Sequence, residues 1–205
     1  MFYLEKFNIT WGGTSDEYGN GMAVDGENNV YLCGQTTSFG AGNYDAFLVK
    51  YDHNENQLWN LTWGNTSSDR GNDMAVDGEN YVYLCGDTYS FGAGNNDAFL
   101  VKYASNRDQL WNITWGGASY DGASDIVIDE DNNVYISGQT HSFGAGLYDA
   151  FLVKYNPDGS QLWNVTWGGN ASDSGNGVVV DSLNNIYISI DILQVLDPVI
   201  MMHFL

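Results

Sequence analysis

The sequence predicts an all-β fold of the propeller type, made of four-stranded antiparallel blades, and three observations predict it. A block of 52 residues recurs without insertion or deletion, as Trp11, Trp63, Trp115 and Trp167 mark it. Each block holds short apolar or alternating runs bounded by Gly, Asn and Asp, and no segment carries helical periodicity. A unit of about 40 to 50 residues with four strands is of blade size, longer than the coil of a β-helix.

Within the first unit, strand A is read over Met22 to Asp25 and strand B over Val30 to Thr36. Gly26-Glu27-Asn28-Asn29 joins them as a tight hairpin, in which Asn takes the left-handed conformation. Strand C, Ala46 to Tyr51, is apolar on both alternating faces except for its Lys, as a sheet sandwiched between two others requires. The polar link Asp52 to Asn56 leads to strand D, Leu58 to Trp63. On D, the two-residue spacing of Trp59, Leu61 and Trp63 puts all three on one side, expected to face the adjacent blade. Lys50, Lys102 and Lys154 are the charges within strand C and call for carboxylate partners, with Asp25, Asp77 and Asp129 the first candidates.

A sheet with two apolar faces cannot stand alone, so neighbouring units must stack on it. Full blades are expected at 21–63, 73–115 and 125–167. Segment 7–12 reads as a strand D by itself, and 177–190 supplies strands A and B alone. The two ends are therefore expected to share a fourth, incomplete blade and close a small ring within one domain over 1–190.

Composition agrees with a packed β protein. Apolar residues make up 43% and aromatics 15%, enough for a core, while 25 Gly against 2 Pro place the turns on Gly, Asn and Asp. Acidic residues number 26 and basic ones 6, for a net charge of −20, and the cations are scattered along the chain. That argues against a nucleic-acid partner, which needs a basic footprint, and favours a soluble acidic surface. Membrane insertion is not expected, since the most apolar stretch, Ile192 to Leu205, is too short to span a bilayer. Met1 to Lys6 lacks the apolar run of a signal peptide. Cys33 and Cys85 are one period apart and Ser137 and Ser189 follow in the same slot, so a small buried side chain is expected there, not a disulfide.

These motifs together carry a family resemblance. Leu-Trp-Asn-x-Thr-Trp-Gly-Gly, Gly-Asn-Gly-x-Ala-Val-Asp, Asn-Val-Tyr-x-x-Gly-x-Thr and Asp-Ala-Phe-Leu-Val-Lys-Tyr resemble the SBBP repeat of seven-bladed β-propellers, in order and over nearly the whole chain to Ser189. Here three full units stand in place of seven. The resemblance implies a prokaryotic repeat protein of the cell surface or extracellular space, with a binding role and no reaction.

The D-to-A and B-to-C connections of a propeller emerge on one face, and both are Gly-rich and acidic. Asp16, Glu17, Asp69, Asp121 and Asp173 lie in the first set and Asp45, Asp97 and Asp149 close the second, making them the candidate binding residues. Such carboxylates suit Ca²⁺, although Asp and Gly are also ordinary loop residues, and no other cofactor is expected. His53, His141 and His203 stand at unrelated positions, so no catalytic or zinc cluster is read. Asn8, Asn60, Asn112 and Asn164 each open an Asn-x-Thr sequon on strand D, which glycosylation or simple duplication of a structural Asn explains equally. The function expected is a non-catalytic surface or adhesion module for a protein or glycan ligand; the alternatives are a structural spacer in a repeat array and a Ca²⁺-binding or enzymatic propeller.

The repeat stops after Ser189. Read one base out of frame, the codons of Met201, Met202 and His203 give Asp, Ala and then Phe or Leu, which is what Asp149-Ala150-Phe151 predicts one period later. Segment 191–205 is therefore expected to be an out-of-frame tail of a longer repeat, leaving an incomplete blade open to self-association.

Overall fold

The computed structural model describes residues 9–192 and 200–204, with side chains described to residue 191. All its regular structure is β. Glu17–Val24 (β1), Val30–Thr36 (β2), Asp45–Tyr51 (β3) and Gln57–Trp63 (β4) form the first antiparallel sheet. Asp69–Val76 (β5), Val82–Thr88 (β6), Asp97–Tyr103 (β7) and Gln109–Trp115 (β8) form the second. Asp121–Ile128 (β9), Val134–Thr140 (β10), Asp149–Tyr155 (β11) and Gln161–Trp167 (β12) form the third. Asp173–Val180 (β13), Ile186–Ile192 (β14) and Ile200–Phe204 (β15) form a three-stranded fourth. Each sheet is a meander in chain order, and the sheets stack as propeller blades.

The hairpins follow from the turn residues. Asn28, Asn80, Asn132 and Asn184 sit at φ of 61 to 65°, the left-handed position that Asn tolerates. The preceding Asp holds the turn: Asp25 Oδ1 accepts from the Glu27 and Asn29 amides, both at 2.9 Å, and its Oδ2 accepts from the Tyr31 hydroxyl at 3.0 Å.

Strand A starts earlier than the sequence suggests, at Glu17, Asp69, Asp121 and Asp173 instead of five residues later. Gly-Asn-Gly reads as a turn, yet here it is strand with a bulge between Gly19 and Gly21, and the pairing with β2 resumes on both sides. Gly34 opposite explains the close approach, because a Cβ there would lie 1.8 Å from the Tyr18 carbonyl oxygen.

The core lies between sheets. Tyr31, Leu48 and Trp63 of the first sheet meet Met74, Leu84 and Phe99 of the second in one cluster, with Trp59 and Leu61 packed on it, as the spacing on strand D requires. Trp63 stacks on Phe99 at 4.1 Å and on Phe91 at 5.2 Å, and Trp115 repeats this on Phe151 and Phe143. Cys33 and Cys85 are buried free thiols in these layers, as a small-residue slot demands. Beside them lie Asp73 and Asp125, just after the bulges of β5 and β9; burial, with the hydrogen bond between the two next, raises the Asp73 carboxyl well above the ordinary range.

Two of the three strand C lysines meet the expected partner: Lys50 lies 3.2 Å from Asp25 and Lys154 3.5 Å from Asp129. Lys102 differs. Its ammonium sits 4.3 Å from the Tyr81 ring and 4.9 Å from that of Tyr83, and donates to the Pro157 carbonyl at 3.3 Å. The cause is Tyr81, which stands where Asn29 and Asn133 stand in the other units and offers a ring face to the cation.

At the ends of the stack the repeat is incomplete. Trp11 lies over Phe47 at 4.4 Å and Phe39 at 5.2 Å, doing for the first sheet what Trp63 does for the second. The strand expected over 7–12 falls partly outside the described residues, and 9–12 carry no strand. Successive sheets pack on one another, whereas the first and fourth make no comparable contact among the described residues. The described blades thus form an open arc, and the fourth takes its third strand from the chain's own segment 200–204. That strand pairs out of repeat register: Ser189 faces Met201, while Ser137 faces Leu152, whose equivalent one period on is position 204.

Candidate functional site

At one end of the arc, the D-to-A and B-to-C connections of successive blades meet. The backbone ties them together: the Asp69 amide donates to the Tyr44 carbonyl at 2.8 Å, and Asp121 to Asn96 and Asp173 to Tyr148 in the same way. Asn20 and Asn72 add side-chain bonds to the Gly71 and Ala123 carbonyls of the next blade, both 2.8 Å.

Most of the acidic candidates are built into this framework. Asp45, Asp69, Asp97, Asp121, Asp149 and Asp173 are all buried. Asp69 accepts from the Asn65 amide and the Ser90 hydroxyl on Oδ2 and from Thr88 on Oδ1, and Asp121 repeats the pattern with Gly117, Ser142 and Thr140. Asp45 and Asp97 accept from the Gly42 and Gly94 amides, closing the Ser-Phe-Gly-Ala-Gly loop. Burial raises the carboxyls of Asp45 and Asp97, and the neighbouring Asp69 and Asp121 charges add to it. Glu17 replaces the Asp in the first unit and accepts from Thr36 at 3.0 Å, while Asp16 is exposed. Asp173 Oδ1 is buried with no hydrogen-bond partner among the described residues; in sequence, Ile192 stands where Thr88 and Thr140 stand in the second and third units. Among the described residues, no three His, Cys, Asp or Glu side chains converge to hold a metal.

What the face offers to solvent is a different set. Arg70 on β5 lies between the rings of Tyr44 and Tyr89, 5.8 Å from each centroid, and pairs with Asp87 at 3.3 Å. Asp87 is buried and also accepts from Asn72 and Asn96, both at 3.1 Å. Tyr120 of the third blade completes the cluster; burial, with the Asp87 charge next, pushes its hydroxyl up to about 12. To one side Tyr18 meets Tyr44 at 6.3 Å, and to the other Tyr148 lies 5.8 Å from Tyr120 and 5.2 Å from His141. Tyr18 and Tyr89 remain 48% and 43% exposed, so the cluster presents ring faces and a neutralised guanidinium, not free charge.

These positions are where the units disagree. Arg70 corresponds to Tyr18, Gly122 and Ser174; Tyr89 to Thr37 and His141; Asn96 to Tyr44 and Tyr148; Tyr120 to Asp16, Ser68 and Ser172. The differences fit one another: a Cβ at Gly122 would lie 2.9 Å from the Tyr120 hydroxyl. A reading built on agreement between units passes over such positions, and the usable signal was their departure from a strict repeat. On the outer strands, Asn60, Asn112 and Asn164 of the sequons are exposed, and Asn8 lies outside the described residues.

Residues 11–40 match the SBBP family, described as a beta-propeller repeat. Two curated relatives are similar in sequence. The regulatory protein FlaEY of Caulobacter vibrioides is 24% identical over 67% of this chain and 16% of its own length. The uncharacterized WD repeat-containing protein L264 of Acanthamoeba polyphaga mimivirus is 26% identical over 69% of this chain and 13% of its own length. The chain thus spans less than a fifth of either relative. Among solved structures, a protein of unknown function from Bacteroides caccae shares the fold with a TM-score of 0.51 at 9% identity, covering 86% of this chain and 54% of that one.

Proposed function

We propose that this propeller-type repeat protein is a non-catalytic binding module of the cell surface or extracellular space, taking a glycan or peptide ligand on its loop face at the Arg70 cluster. The observation that supports the reading is the contrast within the repeat. Units that share an identical buried strand C, Asp-Ala-Phe-Leu-Val-Lys-Tyr, diverge together at Arg70, Tyr89, Asn96 and Tyr120, which the fold gathers at one place. Tyrosines that are partly exposed, with an Arg among them, are the residue types that carry recognition, giving large contact area at low entropic cost. Calcium is a weaker reading, because the buried aspartates already accept from amides and hydroxyls of their own loops.

The test is a screen of glycans and peptides against the purified chain, followed by Tyr89→Ala and Tyr120→Ala. Binding that falls at least roughly tenfold in both variants, with unchanged circular dichroism, supports the proposal. Absence of any ligand, or binding indifferent to both changes, overturns it and favours a structural spacer.

A further inference from the structure

Asn60, Asn112 and Asn164 stand at the middle of β4, β8 and β12, the outer end strand of each four-stranded sheet. Asn is depleted from strands, so its recurrence there calls for a reason. The fold supplies none. All three side chains are exposed, and among the described residues they take part in no hydrogen bond or ion pair. Two residues on, Thr62 and Thr114 are exposed and Thr166 half-buried, and their hydroxyls likewise bond to nothing among the described residues.

Duplication does not account for these residues either. The copy of this strand at positions 5–11 reads Glu-Lys-Phe-Asn-Ile-Thr-Trp where the other three read Gln-Leu-Trp-Asn-x-Thr-Trp. Glu5, Lys6 and Phe7 have changed, while Asn8 and Thr10 have not. The residue between Asn and Thr varies too, through Leu61, Ile113 and Val165, and is never Pro. Apart from the Trp that packs on the core, what is kept is Asn-x-Thr, the acceptor sequence of N-linked glycosylation.

The outer strand has room for a bulky group and a use for it. An end strand leaves one row of backbone groups unpaired, which invites pairing with another chain. Leu58, Leu110 and Leu162, two residues before each Asn, add apolar surface at 50 to 51% exposure. We propose that Asn60, Asn112 and Asn164 are N-glycosylated, so that each full blade carries a glycan that shields its outer strand. This requires export and so rests on the location proposed above. The donor class is an oligosaccharide joined at C1 to a lipid diphosphate: the C1–O bond breaks, the Asn Nδ2–C1 bond forms, the amide gives up one proton and the lipid diphosphate leaves. Asn65-Thr66-Ser67 and Asn170-Ala171-Ser172 also spell the acceptor sequence, but they belong to single units and to D-to-A connections, not to the outer strands.

The experiment is site-localised glycopeptide sequencing of the chain recovered from its native cells, with protease shaving of intact cells to establish where the chain resides. A glycan on Asn60, Asn112 and Asn164 of the surface chain is the expected result. Thr62→Ala should remove the glycan at Asn60 and leave the other two, whereas Thr62→Ser should retain all three, a rescue specific to the acceptor sequence. Circular dichroism verifies the fold of both variants, which the exposure of Thr62 leaves free to form. A surface-exposed chain with bare Asn at these positions, or a glycan at Asn60 that survives Thr62→Ala, overturns the proposal while the surface location stands. A chain confined to the cell interior overturns both.

Discussion

Trp63→Ala is the sharpest test of how the blades hold together. Trp63 is 8% exposed and has Phe99 of the next sheet at 4.1 Å and Phe91, in the loop between β6 and β7, at 5.2 Å. A Trp side chain buries about 150 to 250 Å², which at about 25 cal/mol per Å² is worth about 4 to 6 kcal/mol. Partial collapse of the site offsets some of that, so a loss of about 3 to 5 kcal/mol is expected. Trp163 supplies the contrast on a chemically identical substitution. It is 38% exposed and makes an edge contact with Tyr135 at 6.0 Å, so Trp163→Ala should cost about 1 to 2 kcal/mol. Urea unfolding followed by far-ultraviolet circular dichroism measures both, with slopes compared to ensure that the transition stays cooperative. If Trp63→Ala costs less than about 1 kcal/mol, or no more than Trp163→Ala, the blades are not held by this stacking.

Backbone approach gives a second prediction: Gly86→Ala puts a Cβ 1.8 Å from the Arg70 carbonyl oxygen and should destabilise by about 3 kcal/mol or more, whereas Gly78→Ala, with no atom within 4 Å, should be neutral or gain about 0.4 to 1 kcal/mol in urea unfolding. Equal effects at the two sites would refute the crowding argument. The Asp73 and Asp125 pair predicts a pH dependence. Because burial and the shared hydrogen bond raise the Asp73 carboxyl, the folded chain keeps a proton that the unfolded chain has lost above its ordinary carboxylate range. Stability from this pair therefore declines as pH rises from about 4 toward neutrality, and the advantage of Asp73→Asn over the parent in melting temperature should grow over that window. A constant or shrinking difference would count against it. Burial, with the Asp73 charge next, pushes the Cys33 thiol up to about 12 and raises that of Cys85 well above its ordinary value. Both should resist a thiol reagent in the native protein and react once it is unfolded; rapid labelling of either in the folded state would show the layer to be open.

Core and loop face were not equally legible in the sequence, and the reason is physical. Phe47, Phe99 and Phe151 are buried, and in the second and third blades the preceding Trp packs on the Phe, so duplication keeps both partners together and periodicity alone finds them. The hairpin asparagines were readable for a similar reason, since few residues accept φ near 60°. The start of strand A is not legible in the sequence, because Gly19 and Gly21 are turn-forming residue types and only pairing with β2 makes them continue the sheet. The loop aspartates were legible as a set but not in their placement: a carboxylate reads as solvent-facing until the amides and hydroxyls that enclose it are seen. Lys102 shows how one difference redirects an interaction, as Tyr81 in place of Asn leaves the ammonium over two rings. The Arg70 cluster extends the same logic across blades. A position packed between two sheets must satisfy both neighbours and is held to the repeat, whereas a position with solvent on one side is free to change, so a change there that its neighbours accommodate, as Gly122 accommodates Tyr120, is the pattern expected where a surface has been fitted to something outside the molecule.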